Sequence, residues 1–247
     1  MERSIIKHRA NVRFIFEEGD RMVYKSSLET QLRKDAKKQH ILDCAARVFA
    51  TMGYHNTSVR DIIAEAGIST GSFYFYFKSK EELFASLYDE ISQKHWETID
   101  KVVRTESCNL AASFTRAITT SFWLYQERRD LARIMLVEAL GLNREFRKRW
   151  HENVQKSLSR MSELFRTLQE KGIIHIPDPD TTAKAFEGTC YYVILEWLEN
   201  DDESNLTDLA YPLVIYNLQA IDTHFEYSQI KEEIKNILTE LKQGRYR

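Results

Sequence analysis

Residues 58–77 read SVRDIIAEAGISTGSFYFYF, and their spacing decides the fold class. Val59, Ile62, Ile63 and Ala66 recur at the interval of one helix face. Thr57-Ser58 offers side-chain oxygens that cap such a helix, and Gly67 can take the left-handed conformation that ends it. Ser69 is placed to cap a further short helix from Thr70 to Phe77. Two short helices joined through Ala66-Gly67-Ile68-Ser69 spell a helix-turn-helix. Ile62, Ile63, Ile68 and Phe73 supply its inner face, and the small Thr70, Gly71 and Ser72 its outer one. A second helix of this kind enters the major groove of DNA, where its first residues meet base edges.

Outward from this unit the spacing stays helical. A helix is expected from Lys34, with Ile41, Ala45, Val48, Phe49 and Met52 on one face and Gly53 as its stop. Ser79 caps another, with Glu81 and Glu82 in the first turn where the helix dipole favours acids. It runs through Leu83, Leu87 and Ile91 toward Val103. Further helices are expected over 110–127, 130–140, 143–171, 180–199 and 207–225. A polar tail from Gln229 to Leu241 follows, with Ile230, Ile234, Ile237 and Leu241 at helical spacing. Only three prolines and eight glycines interrupt the chain, and Ile173-Ile174-His175-Ile176 is too short to change the class. The predicted fold is all-α: an N-terminal three-helix helix-turn-helix domain followed by a larger helical domain, which the family resemblance described below implies is a ligand-binding and dimerisation domain.

Composition narrows the function classes. Apolar residues make up 43% of the 247 and charged residues 29%, as in a globular protein that buries a core without staples. Cys44, Cys108 and Cys190 stand apart, so neither a disulfide framework nor a zinc site is expected. The seven histidines show no ligand spacing, so no metal and no cofactor are expected. No run of about 18 apolar residues exists, so no membrane span is expected, and the thiols fit a reducing cytoplasm. The net charge of −2 is unevenly placed: Met22–Lys80 carries nine Lys and Arg against five Asp and Glu, whereas Glu81–Arg247 carries 21 against 28. A basic end on an acidic body is the asymmetry expected where one end meets phosphates.

The run ILDCAARVFATMGYHNTSVRDIIAEAGISTGSFYFYFKSKEELF resembles the DNA-binding domain of TetR/AcrR transcriptional regulators nearly position by position. The likeness lies in Gly53-Tyr54, Thr57-Ser58-Val59-Arg60-Asp61-Ile62, Ala66-Gly67-Ile68-Ser69, Gly71, Tyr74, Tyr76-Phe77 and Lys78-Ser79-Lys80-Glu81. It covers roughly residues 35–95. Two departures concern positions that face DNA in the family: Thr70 stands where a basic residue is common, and Phe75 where a histidine is common. The resemblance implies a repressor that binds double-stranded operator DNA as a homodimer, answers to a small-molecule effector, and has no catalytic residue. Its DNA-binding set would be Ser58, Arg60, Ser69, Thr70, Gly71, Ser72, Tyr74, Phe75, Tyr76 and Lys80. Tyr74 and Lys80 resemble the family residues that bind backbone phosphate, Thr70 and Ser72 can reach base edges, and Arg60 can reach either. Phe73 and Phe77 are expected in the core. An alternative is a regulator of this fold controlled by a partner protein. A remote alternative is a hydrolase, because Gly67-Ile68-Ser69-Thr70-Gly71 spells a nucleophile elbow; that elbow needs a strand before the serine, and the pattern there is helical.

The resemblance also implies the division of the rest: an extension at 1–31, the DNA-binding domain at 35–95, a regulatory and dimerisation domain at 96–227 and a tail helix at 228–247. Its last two family helices would pair with their mates, with Phe186, Tyr191, Val193, Ile194 and Trp197, then Leu209, Leu213, Tyr216 and Ile221, shared between core and interface. Trp123, Tyr125, Met135, Phe146, Trp150, Phe165, Tyr192 and Trp197 are candidates for the pocket of an apolar or amphipathic effector. Arg144, Arg147, Lys148 and Arg149 offer either a seat for an anionic head group or a solvated helix face. Residues 1–21 lack periodicity, and Glu17-Glu18-Gly19 can be encoded by a purine run like a ribosome-binding site upstream of Met22. The expectation is a natural start at Met22; the rival is a basic arm carrying Arg3, Lys7, Arg9, Arg13 and Arg21.

Overall fold

The computed structural model describes residues 18–104, 109–138, 144–200 and 204–246, with side chains from residue 29 onward except 138 and 145. Residues 1–17, on which most of the basic-arm reading falls, lie outside the described residues, as do 139–143. Ten α-helices account for most of the described chain: α1 (Glu18–Asn56), α2 (Val59–Ala66), α3 (Thr70–Tyr76), α4 (Lys80–Val103), α5 (Leu110–Glu127), α6 (Arg129–Arg133), α7 (Arg144–Glu170), α8 (Pro179–Glu199), α9 (Ala210–Ala220) and α10 (Tyr227–Lys242). A π-helical turn, Ile134–Glu138, extends α6, and a 3₁₀ turn, Leu206–Leu209, leads into α9. No strand occurs among the described residues.

The caps at Ser58, Ser69 and Ser79 lie where the sequence put them, and Asn109 and Asp178 add two more. The Ser58 Oγ accepts from the Asp61 N–H while the Asp61 carboxylate accepts from the Ser58 N–H, a reciprocal box at the start of α2. Ser69, Ser79, Asn109 and Asp178 cap α3, α4, α5 and α8 through their side chains. Gly67 (φ +60°) ends α2 in the left-handed region. Gly53 (φ 73°, ψ 163°) kinks α1, so that Tyr54–Asn56 forms a separate last turn.

Three expectations change. Helix α1 begins at Glu18 rather than near Lys34. No breaker stands in that stretch except Gly19. Adding turns to a helix anchored at Ile41–Phe49 needs no new nucleus, and Gln31 donates to Asp35 one turn on. Met52 is 42% exposed rather than core, because the kink at Gly53 turns the chain away beneath it. Helix α9 ends at Ala220, short of the expected 225, and the Ile221 carbonyl accepts instead from the N–H of His175 in the extended 173–176 segment.

Two large cores and a small one form among the described residues. The first packs Ile41, Phe49, Ile62, Phe73, Phe77, Leu83, Phe84 and Leu87 together, and it continues into the body through Leu131, Ile134, Met135 and Phe146. The second lies between α5, α7, α8 and α9 around Phe114, Phe122, Phe165 and Phe186, with Leu213, Val214 and Leu218 of α9 completing it. The third, small core seats α10 on the body through Val102, Trp123, Ile237 and Leu241.

Charge locks these layers. Arg116 on α5 is 4% exposed. Its Nε donates to the Val102 carbonyl at the end of α4 (3.1 Å), and its terminal nitrogens donate to Glu233 (2.5 Å), Glu240 (2.6 Å) and the Tyr246 hydroxyl (2.8 Å). Burial disfavours the guanidinium charge, but the hydrogen bonds to Glu233 and Glu240 more than reverse this and raise its pKa. At the other end of the body, Arg129 and Arg133 donate to the carbonyls of Trp197, Leu198 and Asn200 at the C-terminus of α8, where the helix dipole favours cations. The predicted tail helix is therefore a packed part of the body. Arg116→Ala should lower stability by about 3 kcal/mol, because it leaves two partly buried carboxylates without their cation. Urea denaturation checks this, and a change below about 1 kcal/mol would mean that the contacts of α10 with α5 suffice without the charge.

Candidate DNA-binding face and effector cavity

The first candidate site is the outer face of α3. Ser69, Thr70 and Gly71 are exposed, as are Ser58 and Arg60 at the start of α2. Tyr74 is 53% and Phe75 67% exposed, whereas Phe73 and Phe77 are buried against α1 and α4, as their spacing predicts. An exposed phenylalanine beside an exposed tyrosine on a seven-residue helix leaves apolar surface in water that a partner can cover. Ser72 and Tyr76 are half-buried at the edge of this face.

The Ser69 Oγ accepts from the Ser72 N–H at 3.1 Å, and the residues before it form helix α2, so the strand that a nucleophile elbow requires is replaced by helix. Lys80, expected to contact backbone phosphate, already has partners within the protein. Its ammonium donates to the carbonyls of Tyr54 and Thr57, both at 2.8 Å, and sits 4.1 Å from the centre of the Tyr54 ring. It ties α4 to the end of α1, and one of its three N–H donors is left over for another acceptor.

The second candidate site is a cavity of about 620 Å³ where the helix-turn-helix module meets the body. Asp43 and Ala46 of α1, Leu87, Ile91 and His95 of α4, Trp123 and Tyr125 of α5, Leu131 and Met135 beyond it, and Leu241 and Tyr246 near the C-terminus form its walls. Lys94, Lys101 and Arg128 stand at its rim, with Lys94 paired to Glu90 at 2.6 Å. His95 packs against Tyr125 with ring centres 4.8 Å apart and planes tilted by 35°, and its Nε2 lies 3.2 Å from the Ser121 Oγ. Burial lowers the His95 pKa to about 4, so the imidazole is neutral at pH 7. Next to Tyr125 lies a second polar group, Glu187, whose pKa is raised by burial and which accepts from the Ser157 hydroxyl.

Of the eight residues expected to line a pocket, Trp123, Tyr125 and Met135 meet at this cavity. The others go elsewhere. Phe146 packs on Phe84 at 4.8 Å between ring centres, and Phe165 is fully buried between Phe114 and Phe186. Trp150 packs near Tyr191 at 6.3 Å, and the Trp197 indole donates to the Ser204 carbonyl beneath Arg129. Tyr192 is 69% exposed and points away from the core. Helical spacing places an aromatic on a face but does not say which of two neighbouring layers that face meets. No sequence pattern points to His95, Leu131 or the C-terminal Leu241 and Tyr246 as walls, the last two because no local pattern reports a contact more than a hundred residues away in sequence. In the basic cluster, Arg149 pairs with Asp89 and Lys148 with Glu152, which favours the solvated face for these two.

Residues 41–87 match the tetR family of bacterial regulatory proteins. The fatty acid metabolism regulator protein of Bacillus subtilis is 26% identical over 179 residues, 72% of this chain and 92% of that one. The structure is similar to the fatty acid degradation regulator FadR from Bacillus halodurans, with a TM-score of 0.66 and 26% identity over 76% of this chain and 97% of that one. It is also similar to the transcriptional regulator FadR from Bacillus subtilis in complex with stearoyl-CoA, with a TM-score of 0.67 and 25% identity over 74% and 98%. The matched segment is the one that forms α2, α3 and their supports, and the likeness to the FadR chains extends through the body: this chain is a DNA-binding transcriptional regulator whose DNA-binding domain is of the tetR family.

Proposed function

We propose that this regulator is a dimeric repressor whose hold on operator DNA is released by a long-chain acyl thioester or a similar amphipathic anion. One observation carries the reading: the cavity is walled on one side by α1 and α4, which support the recognition helix, and on the other by the body. A ligand filling it touches both parts and can change the angle between them. Its volume lies in the range of small-molecule sites, and Leu87, Ile91, Trp123, Leu131 and Met135 give it an apolar part. Lys101 and Arg128 offer cations for an anionic head, although Asp43, Glu97 and Glu127 also line it, so the apolar wall supports the ligand class more than the charge does. The stearoyl-CoA held by the similar Bacillus subtilis regulator supports this ligand class.

On the DNA side, Thr70 and Ser72 are assigned to base edges, Phe75 to an apolar contact such as a thymine methyl, and Arg60 and Tyr74 to the backbone. Tyr74→Phe should weaken binding to all sequences alike, whereas Thr70→Ala should relax preference at one or two positions, at about 1–3 kcal/mol for a lost base contact. Selection of bound sequences from a random DNA pool supplies the site and reads both effects. A change of preference in Tyr74→Phe with unchanged overall affinity would reverse the assignment.

Dimerisation is assigned to the outer faces of α8 and α9. Phe186, Ile194, Trp197, Leu213 and Ile221 are spent in the core of one chain, while Tyr192, Leu209 and Tyr216 stay exposed. Tyr192→Glu with Tyr216→Glu should give folded monomers by sedimentation at micromolar concentration, while Leu213→Glu should unfold the body. A sedimentation profile unchanged by the two tyrosine substitutions would move the interface elsewhere.

Release follows from linkage: stearoyl-CoA must lower DNA affinity by the same factor by which DNA lowers affinity for stearoyl-CoA. Titration of stearoyl-CoA with and without the selected DNA measures this. Equal affinities would exclude the mechanism and favour control by a partner protein.

A further inference from the structure

Helix α1 does not end where the core of the DNA-binding module ends. Ile41 and Ala45, both fully buried, share a helix face with Lys38 and Lys34 one and two turns earlier. The face that packs the module thus continues beyond it as lysines, with Lys37 at its flank. All three are exposed. Lys34 Nζ lies 5.9 Å from the centre of the Phe75 ring, and Lys38 Nζ lies 5.8 Å from that of Phe77. Phe75 is the most exposed large apolar residue of α3. Among the described side chains none of the three lysines makes an ion pair, and the nearby Asp35 accepts from Gln31.

We propose that Lys34, Lys37 and Lys38 form a second DNA contact, gripping backbone phosphates beside the groove that α3 enters. The major groove is about 12 Å wide, so Lys34, roughly 6 Å to the side of the exposed recognition-helix ring of Phe75, stands at the groove wall, where the phosphates run, and Lys38, beside the buried Phe77, follows it one turn on along the same face of α1. The aromatic rings hold the lysine stems in place, since a cation within about 6 Å of a ring centre is attracted to its face. The stripe adds affinity and salt dependence without reading sequence. It rests on the assignment of α3 to the groove and not on the effector.

The test uses the full chain and a random-sequence duplex of about 30 base pairs, with affinity measured by fluorescence anisotropy between about 50 and 200 mM salt. Lys34→Gln with Lys38→Gln should reduce the slope of log affinity against log salt by about 1.8, two phosphate contacts at about 0.9 each. Lys171→Gln, an exposed charge just beyond the end of α7, should leave the slope unchanged and controls for net charge. Circular dichroism checks that the helices persist. An unchanged slope in the double variant while Tyr74→Phe weakens binding overturns the stripe alone. Both unchanged overturns the assignment of α3 with it. An equal fall in Lys171→Gln assigns the effect to overall charge and also overturns the stripe.

Discussion

Helix α4 buries residues in two places at once. Its first half gives Leu83, Phe84, Leu87 and Tyr88 to the core under the helix-turn-helix, and its second half gives Val102 to the small core that seats α10 on the body. Close-packed interiors do not deform continuously, so a helix anchored in two cores transmits a shift of one to the other. Arg116 strengthens the far anchor by holding the Val102 carbonyl, and α10 in turn holds Arg116 through Glu233 and Glu240. Lys80 strengthens the near anchor by holding the end of α1. Two cations, Lys80 and Arg116, thus brace the two ends of the helix that joins the module to the body.

The cavity lies beside this rod rather than deep in the body core. Leu87, Ile91 and His95 face it from α4, and Ala46 faces it from α1. A ligand of the proposed kind there would compete with the packing that sets the angle of the module. It can shift that angle only by the difference between its affinities for the two arrangements. The C-terminal residues Leu241 and Tyr246 close part of the wall. About a quarter of this chain has no counterpart in the FadR structures, which cover 74–76% of it.

Much of the DNA-binding module was legible in the residues themselves. Caps, glycine stops and the burial of Phe73 and Phe77 all depend on neighbours within a few residues, and local chemistry decides them. Ser58, Ser69 and Ser79 cap the helices expected of them, and Gly53 and Gly67 break the chain where expected. The extent of α1 was not legible, because a polar helix without a core-facing stripe has no period to read.

The residues alone fixed that the chain is helical, that 58–77 form a helix-turn-helix, and that Phe73 faces in; that Tyr74 faces out was implied by the family resemblance. The first three follow from spacing and from backbone preferences that act over one or two turns. The tertiary structure alone decided that Trp123 and Tyr125 wall a cavity while Phe165 and Trp197 fill a core, that Tyr192 faces water, and that Lys80 and Arg116 serve as internal ties. Each of those outcomes depends on which helix lies opposite, and a long side chain on a helix face carries no record of its partner until the helices pack.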